Sequence, residues 1–361
     1  MANVGDLVRL ARNFRGFTQK KASIKLSIAQ AVFSRIENGL VEPDEEFIRN
    51  AARAFNLPVE FFQISDTVYG PPVSVHAMLR GKSSEVTARD VDMITAELNI
   101  RLMHIRRFQE NVDYDPPNEI PIMDVEQYGS INKIANTVRA HWKIVDGPIR
   151  NLTQIMERAG IIIGLSDFHG ASISGVTFSA PGRAPIVLVN RHHPADRLRF
   201  TLAHELGHLV LHRFPTSDME NEANQFASSF LLPPSELKQV FRGRKITLAL
   251  LASLKKEWRV SMQSLLMSAS ATNSVTKNQA RYLWQQISSK GWRTREPASL
   301  DFEFDAPTVL PTMIRAHLDD LGFDLTELLK LSRVNEDDFE HFYGEFVDKE
   351  VNTRPRLRIV S

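Results

Sequence analysis

The sequence predicts a mostly α-helical protein with a small β-sheet, an α+β fold. Apolar residues recur at helical spacing along most of the chain. Three short β-like stretches, "GIIIGL", "SGVTF" and "APIVLVN", are confined to residues 160–190 and separated by Gly, Ser and Pro. A chain of 361 residues can also form two or three domains, each with its own core.

The composition is that of an ordinary soluble globular protein, with 43% hydrophobic and 24% charged residues. A net charge of +1 excludes a global attraction to nucleic acid, so any basic surface must be local. The absence of cysteine excludes disulfides, thiol catalysis and Cys-ligated zinc, which leaves His and carboxylates as metal ligands. No apolar run fits a signal peptide or a membrane span, so we expect a cytoplasmic protein without membrane contact.

Residues 1–66 are predicted to form an N-terminal domain of short helices. The first helix ends before Gly16, and the hydroxyl of Thr18 is expected to cap the second. A third helix is expected over about 28–38, and "EPDEEFIRNAARAFNLP" predicts a fourth. Residues 67–125 are expected to be a helical linker, in which a Gly- and Pro-containing stretch at 67–82 precedes one long helix.

Residues 126–275 are predicted to be the central domain. Helices are expected near 130–142 and 148–159 before the β-like stretches, and at 196–212 and 218–231 after them. Residues 276–361 are expected to be a helical C-terminal region of unknown role. Its predicted core is Leu318, Leu321 and the leucines from Leu325 to Leu331, and it could serve as a dimer contact or a partner-docking face.

The stretch "RFTLAHELGHLVLH" contains the pattern H-E-x-x-H. His204 and His208 are one helical turn apart, so both imidazoles can reach one cation. Glu205 points to a different side of the helix, where it can act as a general base on a water molecule. The alternative is an amphipathic helix with two histidines on its exposed flank, so a third ligand is needed to favour a metal site.

The next predicted helix offers Asp218, Glu220 and Glu222 as the third ligand. Glu220 lies roughly 60° from the centre of the apolar face and Glu222 roughly 100° away on the other side. Asn224 follows Glu220 by one turn and can hold a ligating imidazole by a hydrogen bond. We therefore predict Glu220 as the third ligand, with Glu222 as the alternative.

Other histidines and one strand are weaker candidates. The longer pattern H-E-x-x-H-x-x-G-x-x-H is excluded, because Leu211 and Phe214 stand where it requires Gly and His. His212 is expected to be structural or to support a ligand. The stretch 186–190 is either an edge strand that holds substrate or a buried strand. His169, His192 and His193 could stabilise an oxyanion, but each is more typical of a surface histidine.

Several spaced motifs resemble one enzyme family in the same order: "SGVTF", "PIVLVN", "RFTLAHELGHLVLH" and "ENEANQFASSFLLP". Over about residues 130–270 the chain resembles the ImmA/IrrE family of metallo-endopeptidases. The resemblance implies a zincin-like fold, zinc on His204, His208 and Glu220, and a catalytic Glu205. It also implies a protein substrate, often a DNA-bound repressor. Manganese is a possible alternative metal, since His and carboxylate ligands discriminate weakly.

The N-terminal helices carry a local excess of positive charge. Between Asp6 and Glu37 there are seven cationic residues and no acidic one: Arg9, Arg12, Arg15, Lys20, Lys21, Lys25 and Arg35. Such an excess is typical of phosphate contact, although a solvated basic face is the alternative.

The segment "FTQKKASIKLSIAQAVFSRIENG" is similar to the Xre/Cro-type helix-turn-helix, which implies a five-helix DNA-binding domain. The predicted DNA-contacting residues are Gln19, Gln30, Ala31, Val32, Ser34 and Arg35. Ser27 stands at the turn position where this motif usually has Gly.

These features together predict a DNA-binding transcriptional regulator with zinc-dependent endopeptidase activity. Its expected partners are a double-stranded DNA operator and a protein substrate, a repressor or a toxin, and we expect a homodimer. The alternative is a non-proteolytic repressor or antitoxin, whose peptidase-like domain binds a partner without cutting it. A third possibility is a sensor in which the C-terminal region gates the protease.

Overall fold

The computed structural model describes residues 3–72, 86–180, 182–214, 216–347 and 357–359. The fold is 59% helical with a small sheet, which confirms the predicted α+β class. None of the helices in these ranges is long and apolar enough to cross a membrane. The predicted linker falls partly on residues 73–85, which lie outside the described residues.

The elements are numbered in chain order. The helices are α1 (Val4–Phe14), α2 (Gln19–Lys25), α3 (Gln30–Glu37), α4 (Glu45–Phe55), α5 (Ala88–Asn111), α6 (Val125–Tyr128), α7 (Ile131–His141), α8 (Leu152–Glu157), α9 (Ala195–Leu211), α10 (Met219–Leu231), α11 (Pro234–Phe241), α12 (Leu248–Trp258), α13 (Met262–Ala271), α14 (Lys277–Ser289), α15 (Val309–Arg315), α16 (Leu325–Ser332) and α17 (Glu336–Val347). The strands are β1 (Val112–Tyr114), β2 (Ile162–Ser166), β3 (Gly175–Phe178), β4 (Ile186–Asn190) and β5 (Leu357–Ile359).

The chain divides into two compact units, which are described separately. Unit 1 comprises Met1–Asp115, Leu165–Ile173 and Thr308–Ser361, and unit 2 comprises Pro116–Gly164 and Ser174–Pro307. The domain boundaries expected from the sequence stay a prediction.

In unit 1, helices α1 to α3 are joined by one buried carboxylate. Glu37 is 1% exposed, and it accepts hydrogen bonds from Arg12 and from the amide of Gln19. Thr18 caps α2 by accepting a hydrogen bond from the backbone N–H of Lys21, as predicted. The third helix, expected over about 28–38, corresponds to α3, whose N-cap is Ala29. Glu37 therefore holds the three helices of the predicted helix-turn-helix in one arrangement.

The turn between α2 and α3 contains a strained backbone position. Ser27 has a φ of 55°, in the left-handed region that only Gly adopts without steric cost. We expect Ser27→Gly to raise the free energy of unfolding by roughly 0.5–1 kcal/mol, measured by denaturant unfolding. The control Ser34→Gly lies inside α3 and should lower stability by a similar amount. An unchanged or lower stability for Ser27→Gly would contradict this account of the turn.

The rest of unit 1 is built on α5, which begins at the capping box of Thr87 and Asp90. Strand β1, directly after this helix, pairs antiparallel with β5 in a two-stranded sheet that the sequence did not predict.

The predicted leucine core of the C-terminal region is wrong in part. Leu325 is 40% exposed and only Leu328 of that run is buried. The buried C-terminal core is instead mainly Val309, Leu310, Met313, Ile314, Phe339, Phe342 and Tyr343.

A buried histidine on α5 makes the stability of the protein depend on pH. Burial, together with the nearby charges of Arg107 and Arg101, holds the pKa of His104 well below its usual 6.5. The unfolded chain therefore binds a proton near pH 6.5 that the folded chain does not. Stability is fully present above about pH 6.5, and falls by up to about 1.4 kcal/mol per pH unit below it.

Thermal unfolding of a His104→Gln variant between pH 7 and pH 5 measures this effect, and the slope should be smaller than in the unchanged protein. His141→Gln replaces an exposed histidine and should leave the slope unchanged. An equal slope in the His104→Gln variant would refute the assignment.

Strands β3, β4 and the first three residues of β2 lie in unit 2, in a three-stranded sheet with the order β2–β4–β3. Strands β3 and β4 are antiparallel, with Gly175 opposite Val189 and Phe178 opposite Ile186. Strand β4 lies in the middle and is fully buried, so residues 186–190 are a buried strand and not the substrate-holding edge. Helix α9 packs on β3 and β4, and α10 packs on α9 and α7.

Candidate metal centre

Helix α9 carries the H-E-x-x-H pattern in the middle of its length. The helix is almost entirely buried on the side that faces the sheet, where Leu202, Ala203 and Leu206 have no exposed surface. His204 and His208 lie one turn apart, with their ring centroids 4.7 Å from each other. The two imidazoles therefore share one side of the helix, as the spacing predicts.

Helix α10 brings a carboxylate to these imidazoles. Glu220 lies in its first turn, with Oε2 3.5 Å from Nε2 of His204 and Oε1 3.2 Å from Nε2 of His208. One ligand atom from each of these three residues lies within 4.8 Å of the other two. No other such group of three His, Asp or Glu residues occurs in the described part of the chain.

A glycine lets the two helices approach closely enough for this arrangement. A Cβ atom on Gly207 would lie 3.1 Å from Cα of Ala223 and 3.2 Å from Cδ1 of Phe226. Gly207 therefore permits backbone-to-backbone contact between α9 and α10. The predicted apolar face of α10 is buried in this contact, with Met219, Ala223, Phe226 and Phe230 at most 2% exposed.

The hydrogen bonds behind the imidazoles determine which ring nitrogens are free. Nδ1 of His204 lies 3.1 Å from Oδ1 of Asn224, an acceptor, so this Nδ1 carries the proton. Nδ1 of His208 lies 3.1 Å from Nδ1 of His212, whose Nε2 in turn lies 2.9 Å from a carboxylate oxygen of Glu222. His212 donates to Glu222 and accepts from His208. With Nδ1 of each ring held in this way, the Nε2 atoms of both imidazoles lie on the side of Glu220.

The alternative third ligand, Glu222, lies away from this group. It is paired with His212 and does not belong to the cluster of ligand atoms formed by His204, His208 and Glu220. The contact of His212 with His208 matches the prediction that His212 is a structural or supporting residue.

Glu205 is buried beside the cluster, with only 1% of its surface exposed. Its Oε2 accepts a 2.6 Å hydrogen bond from the hydroxyl of Thr177 on β3. Strand β3 can approach Glu205 because Gly175 has no side chain, since a Cβ there would overlap Cγ2 of Thr201 and lie 3.2 Å from Oε1 of Glu205. Sequence reasoning missed Thr177, Gly175 and Gly207, because no periodic pattern marks a single strand-to-helix or helix-to-helix contact.

We expect Gly175→Ala to lower the free energy of unfolding by about 1–3 kcal/mol, because the added methyl group must displace Thr201 or the strand. Gly70→Ala is a suitable control, since a Cβ there meets no atom of the described residues within 4 Å. Its stability should change by no more than about 0.5 kcal/mol. Chemical denaturation of both variants tests this, and equal stabilities would contradict the close approach of β3 to α9.

The electrostatics of the cluster favour a bound cation. Burial alone lowers the pKa of His204, but the contacts with Glu220 and the charge of Glu205 outweigh it and raise the pKa above 6.5. Burial alone raises the pKa of Glu220, but the two imidazoles outweigh it and hold the pKa at about 2. Positive charge is therefore stabilised at this point between two carboxylates.

These observations fit a divalent metal. Oε1 of Glu220 is buried and has no hydrogen-bond partner within the described residues. The Nε2 atoms of His204 and His208 lie 3.1 Å apart and both face Glu220, so one cation can contact all three side chains. Two imidazole nitrogens and one carboxylate are the ligands of many catalytic zinc sites, which keep a further position for water.

The remaining histidine candidates do not join this cluster. His169 belongs to unit 1, and neither His192 nor His193 is among the group of ligand atoms. His193 lies in unit 2, where burial and the charge of Arg197 lower its pKa.

A cavity of about 700 Å³ lies within unit 2, and neither Glu205 nor any of the three candidate ligands lines it. Asn224, which holds His204, is one of its lining residues, together with Asn221, Gln225 and Ser228 from the same helix. Phe200 of α9 and Met267 of α13 contribute apolar surface. The cavity is large enough for side chains of a peptide.

In unit 1, the predicted DNA-contacting residues lie mostly on the surface of α3. Gln30, Ala31, Val32 and Arg35 are exposed, and Ser34 is half-buried. Gln19 is half-buried instead, and its side-chain amide donates to Glu37.

The exposed basic surface of the N-terminal helices is smaller than their seven cationic residues indicate. Three of the seven cationic residues are held within unit 1: Arg9 by the carbonyl of Glu37, Arg12 by the carboxylate of Glu37, and Arg15 by Asp338. Lys20, Lys21, Lys25 and Arg35 are exposed. The cations available to a partner therefore come from α2 and α3.

Comparison with known proteins gives one family match. Residues 156–270 match the family model of the IrrE N-terminal-like domain, peptidase M78. No curated protein matches the chain. A solved structure, Bacillus thuringiensis PlcR in complex with the peptide PapR7 and DNA, is 13% identical and covers 97% of this chain and 100% of its own. Its TM-score is 0.17, which is too low to indicate a shared fold.

The family match includes all of α9 and α10, and hence His204, Glu205, His208, Glu220 and Asn224. The segment that carries the candidate metal centre is therefore similar to the IrrE N-terminal-like domain of the M78 peptidases.

Proposed function

We propose that the chain is a DNA-binding regulator whose unit 2 is a zinc-dependent endopeptidase. The observation that carries the peptidase proposal is the arrangement of ligand atoms. Nε2 of His204, Nε2 of His208 and the Glu220 carboxylate converge, while Glu205 is buried beside them and takes no part in the cluster. The similarity to an M78 peptidase domain supports the same assignment.

His204, His208 and Glu220 would hold the metal. When bound, a divalent cation of this kind lowers the pKa of a water molecule and polarises the carbonyl that the water attacks. Asn224 and the His212–Glu222 pair keep the two imidazoles in orientation by their hydrogen bonds. Manganese is an alternative occupant, because the ligand set alone discriminates weakly.

Glu205 would act as the general base and then as the general acid. Its carboxylate takes a proton from the attacking water and later delivers it to the amide nitrogen as the peptide C–N bond breaks. Thr177 holds one carboxylate oxygen by its hydroxyl, which leaves the other oxygen to carry the proton. The cavity that Asn224 lines would provide space for substrate side chains.

The DNA-binding part of the proposal is supported by the exposed surface of α3. Gln30, Ala31, Val32 and Arg35 project from this helix, and the exposed lysines of α2 lie close to it in the chain. Side chains of a recognition helix read base edges, and the cations contact phosphates. Arg35→Ala should therefore weaken operator binding, and the salt dependence of binding should become less steep.

Digestion of protein candidates tests the peptidase proposal. The purified chain, loaded with zinc, is incubated with repressor and toxin proteins encoded by neighbouring genes, with and without a chelator, and the products are analysed by mass spectrometry. Specific cleavage that the chelator abolishes supports the proposal. Stable complex formation without cleavage would favour the alternative, a repressor or antitoxin that binds its partner through the peptidase-like domain.

A further inference from the structure

One long segment of unit 2 has no acidic residue. Between Glu257 and Glu296 the chain carries six cationic residues: Arg259, Lys277, Arg281, Lys290, Arg293 and Arg295. The whole chain is almost balanced, with 44 Lys and Arg against 43 Asp and Glu. A local excess of this kind attracts anionic ligands.

Part of this excess is concentrated in one cavity of about 580 Å³. Lys277, Arg281 and Trp284 line it from α14, and Arg293 lines it from the loop that follows the helix. The three helix residues share one face, because they lie four and three positions apart. No acidic side chain lines the cavity.

Two of the cations have no counter-charge. Lys277 and Arg281 are exposed, and neither forms an ion pair or hydrogen bond through its side chain within the described ranges. Other cations of the segment are compensated, since Arg259 is paired with Asp305 and Arg295 with Asp301. The cavity therefore holds uncompensated positive charge.

The wall of the cavity also contains an aromatic ring with a fixed cation. The guanidinium of Arg293 lies 4.5 Å from the ring centroid of Trp284. Its Nε donates to the hydroxyl of Ser288, and its backbone carbonyl accepts from the side-chain amide of Gln263. An indole beside a guanidinium plane offers stacking surfaces for a planar ring.

We propose that this cavity binds a nucleotide, a small ligand that combines a polyphosphate with a planar base. Lys277 and Arg281 would contact the phosphates, and Trp284 with Arg293 would pack against the base. The volume lies within the range of small-molecule sites, roughly 300–1,000 Å³. The cations and the indole lie together around one cavity, which favours a small ligand over a nucleic-acid chain, whose phosphates follow one another along an extended groove. The proposal does not depend on the peptidase function.

Isothermal titration calorimetry of the full chain with ATP and ADP tests this inference. We expect saturable binding of one nucleotide per chain. Lys277→Glu combined with Arg281→Glu should weaken it at least about tenfold, since two charge contacts become repulsive. Trp284→Ala should weaken nucleotide binding more than it weakens binding of pyrophosphate, which has no ring to stack.

Lys238→Glu is the matched control, because Lys238 is an exposed cation on α11 outside the cavity. This variant should leave the affinity for the nucleotide unchanged. A chelator should also leave that affinity unchanged, and this result would exclude binding of the phosphates to a metal ion. The proposal is overturned if neither nucleotide binds, or if the double variant binds as tightly as the unchanged protein. Tighter binding of a short single-stranded oligonucleotide than of ATP would also overturn it.

Discussion

Replacing Glu220 with alanine is expected to lower the affinity for zinc at least about 100-fold, whereas Glu222→Ala retains zinc with a smaller loss. Glu220 is the only carboxylate of the described residues in the ligand cluster, and its removal leaves two imidazoles for the metal. Glu222 would act on the metal only indirectly, through its hydrogen bond with His212 and that of His212 with His208. Loss of such a supporting partner costs about 10- to 100-fold in metal affinity.

Competition with a chromophoric chelator measures both affinities, and circular dichroism verifies that the variants are folded. Asn224→Ala is a third variant for the same comparison, because Asn224 orients His204. Its affinity for zinc should resemble that of the Glu222→Ala variant. A Glu222→Ala variant that loses zinc while Glu220→Ala retains it would assign the third ligand to Glu222 and refute the proposed ligand set.

Glu205→Gln is expected to reduce peptide cleavage by about 10²- to 10⁴-fold without loss of the metal. The amide has nearly the same shape as the carboxylate, and it can still accept the hydrogen bond from Thr177. It cannot take up a proton from water at neutral pH. The metal ligands are unchanged, so zinc stoichiometry should equal that of the unchanged protein.

The measurement is the initial rate of cleavage of the substrate found by mass spectrometry, with zinc content determined on the same sample. Thr177→Val is a useful companion, because it removes the hydroxyl but keeps the general base and should have a smaller effect. A folded, zinc-loaded Glu205→Gln protein with the full rate of cleavage would refute the proposed role of Glu205.

The grouping of the three candidate ligands could be predicted in part, because helical spacing relates residues that are close in sequence. The four-residue interval joins His204 to His208, and the apolar face of α10 favoured Glu220 over Glu222. Glu220 does face the two imidazoles, but it does not lie nearer the packed interface, since its side chain is 42% exposed and that of Glu222 is 22% exposed. Thr177 could not be found in this way. It approaches Glu205 only because β3 packs on α9, and that approach depends on the absence of a side chain at Gly175.

The same limit applies to unit 1. The helices of the N-terminal region were predicted from capping and periodicity, and Thr18 caps α2 as expected. The sequence alone could not show which charged side chains are free and which are paired. Arg15, for example, is neutralised by Asp338, which is far away in the sequence. The pairing of β1 with β5 is equally long-range. Local sequence patterns therefore predicted the helices of this region. Long-range packing decides which of their side chains remain free to contact a partner.

Crystallography of the zinc-loaded protein with anomalous scattering at the zinc edge tests the central claim most directly. The proposed centre predicts one anomalous peak about 2.0–2.2 Å from Nε2 of His204, Nε2 of His208 and a carboxylate oxygen of Glu220. Glu205 should lie outside the ligand set, with its hydrogen bond to Thr177 retained. A zinc ion bound by His212 and Glu222, or direct ligation by Glu205, would contradict the proposed centre.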